Sequence, residues 1–142
     1  ICPWDPAQWP APSRLPHYAK ALEQSVISVL CAGRSGHRLD GSVASLLAID
    51  EHLERICPRA APPQPDARWS RRATVLIGAY LGETLRRETP GEWSRRDGLD
   101  LGPSSYRLVL STGRELRPVE HVFERLNAGA DPLHEYALRS LA

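Results

Sequence analysis

Three side chains in the second half of the chain could support acid–base chemistry. Tyr80 and Glu83 lie one helical turn apart in the segment IGAYLGETLRR, and His121 follows in PVEHVFERLN. An enzyme would need the three to converge in one pocket, where burial could shift the carboxylate pKa. The sequence places no nucleophile and no second acid beside Glu83. We therefore expect Glu83 to form a structural ion pair, with Arg107 or Arg125 as its partner, and keep an enzyme with a site near Glu83 as the second alternative.

Metal and cysteine chemistry have little support in the residue spacing. Histidines and carboxylates cluster on three predicted helices, but none has the HExxH pattern or another paired-ligand spacing. The three cysteines, Cys2, Cys31 and Cys57, are an odd number without a CxxC pair, which argues against a zinc ribbon and a disulfide framework. We expect no metal, no cofactor and reduced thiols, as in a cytoplasmic protein.

A basic segment suggests a different class of function. Residues 68–96 carry seven arginines and three glutamates, although the whole chain has a formal net charge of only +1. Such a stripe could follow phosphates, with Trp69 or Trp93 stacking on bases. The near-neutral whole chain and the lack of a helix-turn-helix, zinc-finger or RNP pattern argue against this function. Nucleic-acid binding is therefore the first alternative, because arginine is also enriched in protein interfaces.

Length and composition indicate the number of domains and the class of protein to which the chain belongs. The chain has 142 residues, of which 42% are hydrophobic and 25% charged, which fits one globular domain. The longest apolar runs are far shorter than the roughly 18 to 20 residues that a bilayer needs, so no membrane association is expected. We expect a single domain over residues 17–142.

The first sixteen residues form a separate segment. Prolines at five positions exclude a helix or a central strand there, so residues 1–16 are predicted to be an extended arm. Trp4 and Trp9 are its anchors, and they cover either the domain's own surface or a partner.

Apolar residues at helical spacing predict three helices before the sheet. They span residues 17–32, 40–57 with Asp40 as the N-cap, and 68–88, and a proline-rich linker over 58–67 precedes the third. The third has a wide apolar stripe, which predicts a central position in the fold.

The pattern changes to strands after the third helix. Residues 106–110 and 114–117 flank Ser111, Thr112 and Gly113, which predicts a hairpin, and Trp93 begins a third strand. Pro118 opens a helix that ends at residues 127–129, and a last helix covers 132–141. The expected fold class is α+β, with helices packed on a small antiparallel sheet of two or three strands in the order α-α-α-β-β-β-α-α.

Two glycines inside the third helix need a structural reason. Gly78 and Gly82 lie one turn apart, and each costs about 1 kcal/mol relative to alanine. We expect both to allow close packing, against the 40–57 helix or the sheet.

The second half of the chain resembles a family of uncharacterised bacterial domains. The family has a GAYLGE helix, a G-x-W turn, a two-stranded segment, a proline-led helix and a closing N-G-x-x-D-x-L stretch, and the match covers about residues 75–138. The resemblance implies the same fold and a bacterial origin, and it implies no reaction. The matching positions are Gly78, Tyr80, Gly82, Glu83, Gly91, Trp93, Pro118, Arg125, Leu126, Asn127 and Gly129.

The absence of catalytic signatures favours a binding function. We expect a small protein–protein interaction module of the adaptor, accessory or immunity type, without catalytic activity of its own. Tryptophan and arginine dominate interface energetics, so they are the expected contacts. The expected partner-binding residues are Trp4, Trp9, Arg68, Arg71, Arg72, Arg86 and Arg87.

Overall fold

Six α helices and one antiparallel sheet make up the fold. A computed structural model describes residues 9–61, 66–95 and 102–142. The predicted α+β class is confirmed, but four helices rather than three precede the sheet. These four are α1 (Leu15–Glu23), α2 (Val26–Ser35), α3 (Ser45–Ile56) and α4 (Ala67–Glu88), and α5 (Pro118–Ala128) and α6 (Leu133–Leu141) follow the sheet.

The predicted single helix over residues 17–32 is wrong, because the chain breaks at Gln24 and Ser25. The backbone of Ser25 is extended, with ψ at 169°, and its hydroxyl donates a hydrogen bond of 2.6 Å to the carbonyl of Leu22. A serine that bonds to the preceding turn in this way competes with continuation of the helix.

The break turns a different face of α2 toward the core. A continuous helix would have buried Val26 and Val29 on the same side as Leu22. Instead Ser28 and Cys31 are buried, and Val26 and Val29 are 73% and 71% exposed.

The segment before α3 is a turn rather than the first turn of a helix. Asp40 was predicted to cap a helix there, but its carboxylate accepts a hydrogen bond of 3.0 Å from the amide of Ser42, and α3 begins only at Ser45. Gly41 lies in this turn with φ at +82°, a conformation that glycine adopts readily. The turn brings residues 40–42 beside α4.

The longest helix, α4, is central, as its apolar stripe predicts. Asp66 caps its N-terminus by accepting a hydrogen bond of 2.7 Å from the amide of Arg68. The helix packs against α1 on one side and α5 on another. Both glycines of α4 are buried, Gly78 against α5 and Gly82 against Trp93 of the sheet.

The sheet has three antiparallel strands in the order β1 (Gly91–Arg95), β2 (Tyr106–Leu110) and β3 (Glu115–Leu116). Trp93 pairs with Leu108, which pairs in turn with Leu116. Gly113, with φ at +90°, closes the predicted hairpin between β2 and β3. The hairpin and the third strand are therefore confirmed.

The last two helices are fixed to the first half of the chain. Pro118 is the first residue of α5, as predicted, and Gly129 ends this helix in the left-handed conformation. The carboxylate of Asp50 on α3 accepts hydrogen bonds of 2.7 and 3.0 Å from the amides of Leu133 and His134. These amides lie in the first turn of α6, so a side chain from α3 caps that helix.

The two proline-rich segments are described in part. Of the predicted arm, residues 1–8 lie outside the described residues, and α1 begins at Leu15, two residues earlier than expected. Residues 62–65 of the predicted linker also lie outside the described residues. At its start, Arg59 pairs with Asp131 at 3.3 Å and packs its carbonyl against Gly129, so this end of the linker lies on the loop between α5 and α6.

Candidate functional site

Four residues of the predicted motif hold the sheet against α4. A Cβ on Gly82 would stand 2.0 Å from the indole of Trp93, so the glycine makes room for the ring. The indole nitrogen donates a hydrogen bond of 2.9 Å to Glu83, which also pairs with Arg86 at 2.8 Å. The guanidinium of Arg86 reaches the carbonyl of Gly91 at 2.9 Å.

The partners predicted for Glu83 are therefore wrong. Arg107 pairs with Glu115 at 3.6 Å, and Arg125 pairs with Glu54 at 3.4 Å. The observed partner, Arg86, lies three residues along the same helix, a spacing at which helical side chains meet.

The remaining motif residues fasten α5 to the helices around it. A Cβ on Gly78 would lie 2.8 Å from the Cα of Val119, so this glycine permits close packing against α5 rather than the predicted contact with α3 or the sheet. Asn127 donates to the hydroxyl of Ser70 on α4 at 3.2 Å. Arg125 is only 1% exposed and donates to the carbonyl of Cys57 at 2.8 Å, beyond the end of α3.

Tyr80 and Glu83 line one cavity, which we call the polar cavity. It has a volume of about 400 Å³ and lies between α1, the turn at residues 40–42 and α4. Its polar lining comprises Lys20, Glu23, Asp40, Tyr80, Glu83, Thr84 and Arg87.

The Tyr80 hydroxyl both accepts and donates hydrogen bonds within the chain. It accepts a bond of 2.9 Å from the amide of Gly41 and lies 2.6 Å from the hydroxyl of Ser45. Because the Ser45 hydroxyl donates to the carbonyl of Ser42, the Tyr80 hydroxyl donates to Ser45. Burial raises the pKa of Tyr80, which keeps the phenol protonated. The residue therefore clamps the turn onto α4.

His121 does not join Tyr80 and Glu83, so the three do not converge as the enzyme alternative would require. The imidazole lies between α5 and α6, stacked on Tyr136 at 4.1 Å, with its Nε2 atom 2.9 Å from the carbonyl of Asp131. Burial lowers the pKa of His121, which favours the neutral ring.

The arginines predicted to form one basic stripe are separated. Arg68 and Arg87 are about 28 Å apart along α4, at about 1.5 Å per residue. Arg86 is engaged with Glu83, and Arg87 donates to the carbonyl of Asp40 at 2.6 Å. Arg95 donates to the carbonyl of Trp9 at 3.2 Å, and Arg96 lies outside the described residues.

Trp9 packs on the domain's own surface. Its ring lies edge-on to Tyr106 at 6.4 Å, and the guanidinium of Arg71 lies over the ring at 5.4 Å. The hydroxyl of Tyr106 donates to the carbonyl of Pro10, which fixes the backbone here. Trp4, the other predicted anchor, lies outside the described residues.

A second depression, which we call the apolar groove, was not predicted. It has a volume of about 120 Å³ and lies between α1, α2, α3 and α4. From α2 only Ile27 lines the groove, whereas Val26, Val29 and Leu30 of the same helix are exposed. The lining of the groove includes Ile27, His52, Ile56, Trp69, Arg72 and Leu76. Ser25, a favoured N-cap residue, was the one signal in the sequence for the break that creates this surface.

Comparison with family models, with curated proteins and with solved structures found no match to this chain. The resemblance to the GAYLGE family stays a prediction. In the described part of the chain, no helix is both long and apolar enough to cross a membrane. No three histidine, cysteine or acidic side chains among the described residues are placed to hold a metal ion.

The electrostatic environment of the apolar groove is basic. Arg72 lines the groove directly. Burial, together with the nearby guanidinium groups of Arg34 and Arg55, lowers the pKa of His52. Glu51 offsets part of this charge through its ion pair with Arg55 at 3.5 Å. An apolar floor with positive charge at its edge suits a partner that is apolar and acidic.

Proposed function

We propose that the chain is a cytoplasmic protein-binding module, of the adaptor, accessory or immunity type, without catalytic activity of its own. The apolar groove is its docking surface. The observation that carries the proposal is the apolar lining of the groove, in which Ile56 and Trp69 remain 45% and 41% exposed beside Ile27 and Leu76. Contiguous apolar patches of this kind mark interaction sites.

The proposed occupant is an amphipathic helix with an acidic flank. A groove between helices accepts the apolar face of a helix, through residues spaced by three and four positions. Burial of each large apolar side chain contributes about 1.5 to 3 kcal/mol, which makes Ile56 and Trp69 suitable contacts for the partner. Arg72 at the groove and Arg34 beside His52 attract carboxylates on the partner. A second copy of the chain would bring the same positive charge and is disfavoured for that reason.

The candidate interface keeps some of the residues expected from the sequence. Arg68 lies one turn from Arg72 on α4, and both arginines belong to the proposed interface. Trp9 and Arg71 contact each other, and Arg86 and Arg87 make contacts within the chain at the far end of α4. The proposed docking surface therefore does not include Trp9, Arg71, Arg86 or Arg87.

The two alternatives have less support from the geometry. A nucleic-acid site would need a continuous row of arginines, whereas Arg86 and Arg95 are engaged in contacts within the chain. At a catalytic site near Glu83, neither the carboxylate nor the Tyr80 hydroxyl is available: Glu83 is held by Arg86 and Trp93, and the hydroxyl bonds to Gly41 and Ser45. Cys31 and Cys57 are buried, and their thiols donate to the carbonyls of Ala48 and Leu126; reduced thiols of this kind fit a reducing compartment.

A photo-crosslinking amino acid at Ile56, which lines the groove and is 45% exposed, tests the proposal. The chain is exposed to lysate of its host, the crosslinked species is identified, and its attached segment is synthesised as a peptide. We expect an acidic amphipathic segment that binds in a 1:1 ratio. Ile56→Asp places a charge in the interface and should weaken binding of this peptide at least tenfold.

Leu138→Asp is the matched control, because Leu138 is a 52% exposed apolar residue on α6, which supplies no residue to the groove. Binding by this variant should equal that of the parent chain. The proposal is wrong if the crosslink joins nucleic acid, a second copy of the chain or a basic segment. Equal loss of peptide binding in Ile56→Asp and Leu138→Asp would also contradict it.

A further inference from the structure

We propose that the polar cavity binds a small zwitterion of the α-amino acid class. This site is separate from the apolar groove and does not depend on it. The cavity volume of about 400 Å³ lies in the range of small-molecule sites, which run from roughly 300 to 1,000 Å³. The charges around it decide which class of ligand it would accept.

A positive and a negative group face each other across Gly41. The Nη1 atom of Arg87 lies 2.7 Å, and the Oε1 atom of Glu23 lies 3.5 Å, from the point that a Cβ on Gly41 would occupy. A Cβ at this position would collide with the guanidinium, so glycine allows Arg87 to lie directly on the backbone of the turn. The φ of +82° suits glycine as well.

These opposite charges are close but not paired. Among the described residues, the hydrogen bonds of Arg87 comprise only the one from Nη1 to the carbonyl of Asp40, at 2.6 Å. The carboxylate of Glu23 has a single ion pair there, with Lys20 at 3.7 Å, and Lys20 is 77% exposed. Arg87 keeps further donors for a carboxylate, and Glu23 keeps acceptors for an ammonium group.

The balance of charge in the lining favours a ligand that carries one charge of each sign. Glu83 is already compensated by Arg86 at 2.8 Å. The other charged groups of the lining are Lys20 and Arg87 against Glu23 and Asp40. A phosphate would meet two carboxylates, and a polyamine would meet two cations, whereas a ligand with one charge of each sign satisfies both.

The remaining walls suit a small hydrocarbon side chain. Pro16 and Ala19 of α1 and the ring of Tyr80 line the cavity together with its charged groups. An α-amino acid places its carboxylate and ammonium on one carbon, which matches two protein groups that flank a single glycine. Its side chain would then lie against Ala19 and Tyr80.

Isothermal titration and thermal shift with the proteinogenic L-amino acids test this assignment. At about 10 mM ligand, we expect one or more members with apolar side chains to bind in a 1:1 ratio and raise the Tm of the intact chain. The N-acetyl and the amide derivatives of the same amino acid each lack one charge, and both should bind at least tenfold more weakly.

Variants of the two facing charges link binding to the cavity. Arg87→Gln and Glu23→Gln should each weaken binding at least tenfold. Glu88→Gln is the matched control, because Glu88 is an exposed residue of α4 that does not line the cavity. The assignment is wrong if no amino acid raises the Tm, if the blocked derivatives bind equally well, or if Arg87→Gln binds like Glu88→Gln.

Discussion

The indole of Trp93 occupies the space that a side chain on Gly82 would need. Its ring carbons lie 2.0 and 2.1 Å from the position of a Cβ there, and its nitrogen donates to the neighbouring Glu83. A residue of β1 thus packs directly on the backbone of α4. This contact sets the distance between the sheet and the central helix.

We expect Gly82→Ala to lower the free energy of unfolding by about 3 kcal/mol, the upper end for an overpacked core. The added methyl group would displace the indole and break its bond to Glu83. Urea unfolding followed by circular dichroism measures the change. Gly33→Ala is the control, because no heavy atom lies within 4 Å of a Cβ there, and it should raise stability by about 0.5 to 1 kcal/mol. Similar stability of the two variants would contradict the packing of Trp93.

Much of this contact could be predicted from the sequence. Two glycines in one apolar helix indicate a close approach, and Trp93 was placed on a strand. The prediction of Arg107 or Arg125 as the partner of Glu83 is wrong because Arg86, three residues along the same helix, lies within reach of the carboxylate. That local spacing was available in the sequence.

The two candidate sites were harder to predict. The apolar groove exists because the chain breaks at Ser25, and the hydrophobic pattern of residues 17–32 also fits a continuous helix. Tertiary packing decides between the two, as the buried Cys31 and the exposed Val29 show. The polar cavity joins charges from α1, α4 and the turn at Gly41, and the spacing along the chain does not reveal that these meet.

Asp50 provides a test of the connection between α3 and α6. Its carboxylate accepts from the amides of Leu133 and His134, and no side chain within α6 caps that helix. Asp50→Ala should lower the free energy of unfolding by about 1 to 2 kcal/mol, because two buried donors lose their acceptor. Asp50→Asn keeps one acceptor oxygen and should recover part of the loss. Chemical denaturation compares the two, and equal stability of Asp50→Ala and the parent chain would argue against the cap.

His121 should make the fold less stable in acid. Burial lowers its pKa below the ordinary value of 6.5, so the folded chain binds a proton less readily than the unfolded chain. The contribution of the neutral ring is therefore complete above about pH 6.5 and is lost as the pH falls through the lower pKa of the folded state. His121→Phe keeps a ring against Tyr136 and removes the titration.

The measurement is the difference in unfolding free energy between the parent chain and His121→Phe as a function of pH. His52, whose pKa burial also lowers, is present in both proteins and cancels in this difference. NMR titration of His121 gives the pKa directly. A value at or above 6.5 would exclude the proposed effect of burial.

Tyr80 connects the stability of the fold to the polar cavity. Its hydroxyl holds Gly41 and Ser45, so Tyr80→Phe leaves the amide of Gly41 without its bond and should cost about 1 to 3 kcal/mol. Ser45→Ala removes only one hydrogen-bond partner of the Tyr80 hydroxyl and should lower the free energy of unfolding by less. Because Gly41 separates Arg87 from Glu23, loosening of its turn should also weaken amino acid binding in Tyr80→Phe. Urea unfolding and calorimetric titration measure the two effects, and unchanged stability in Tyr80→Phe would show that the hydroxyl does not hold the turn.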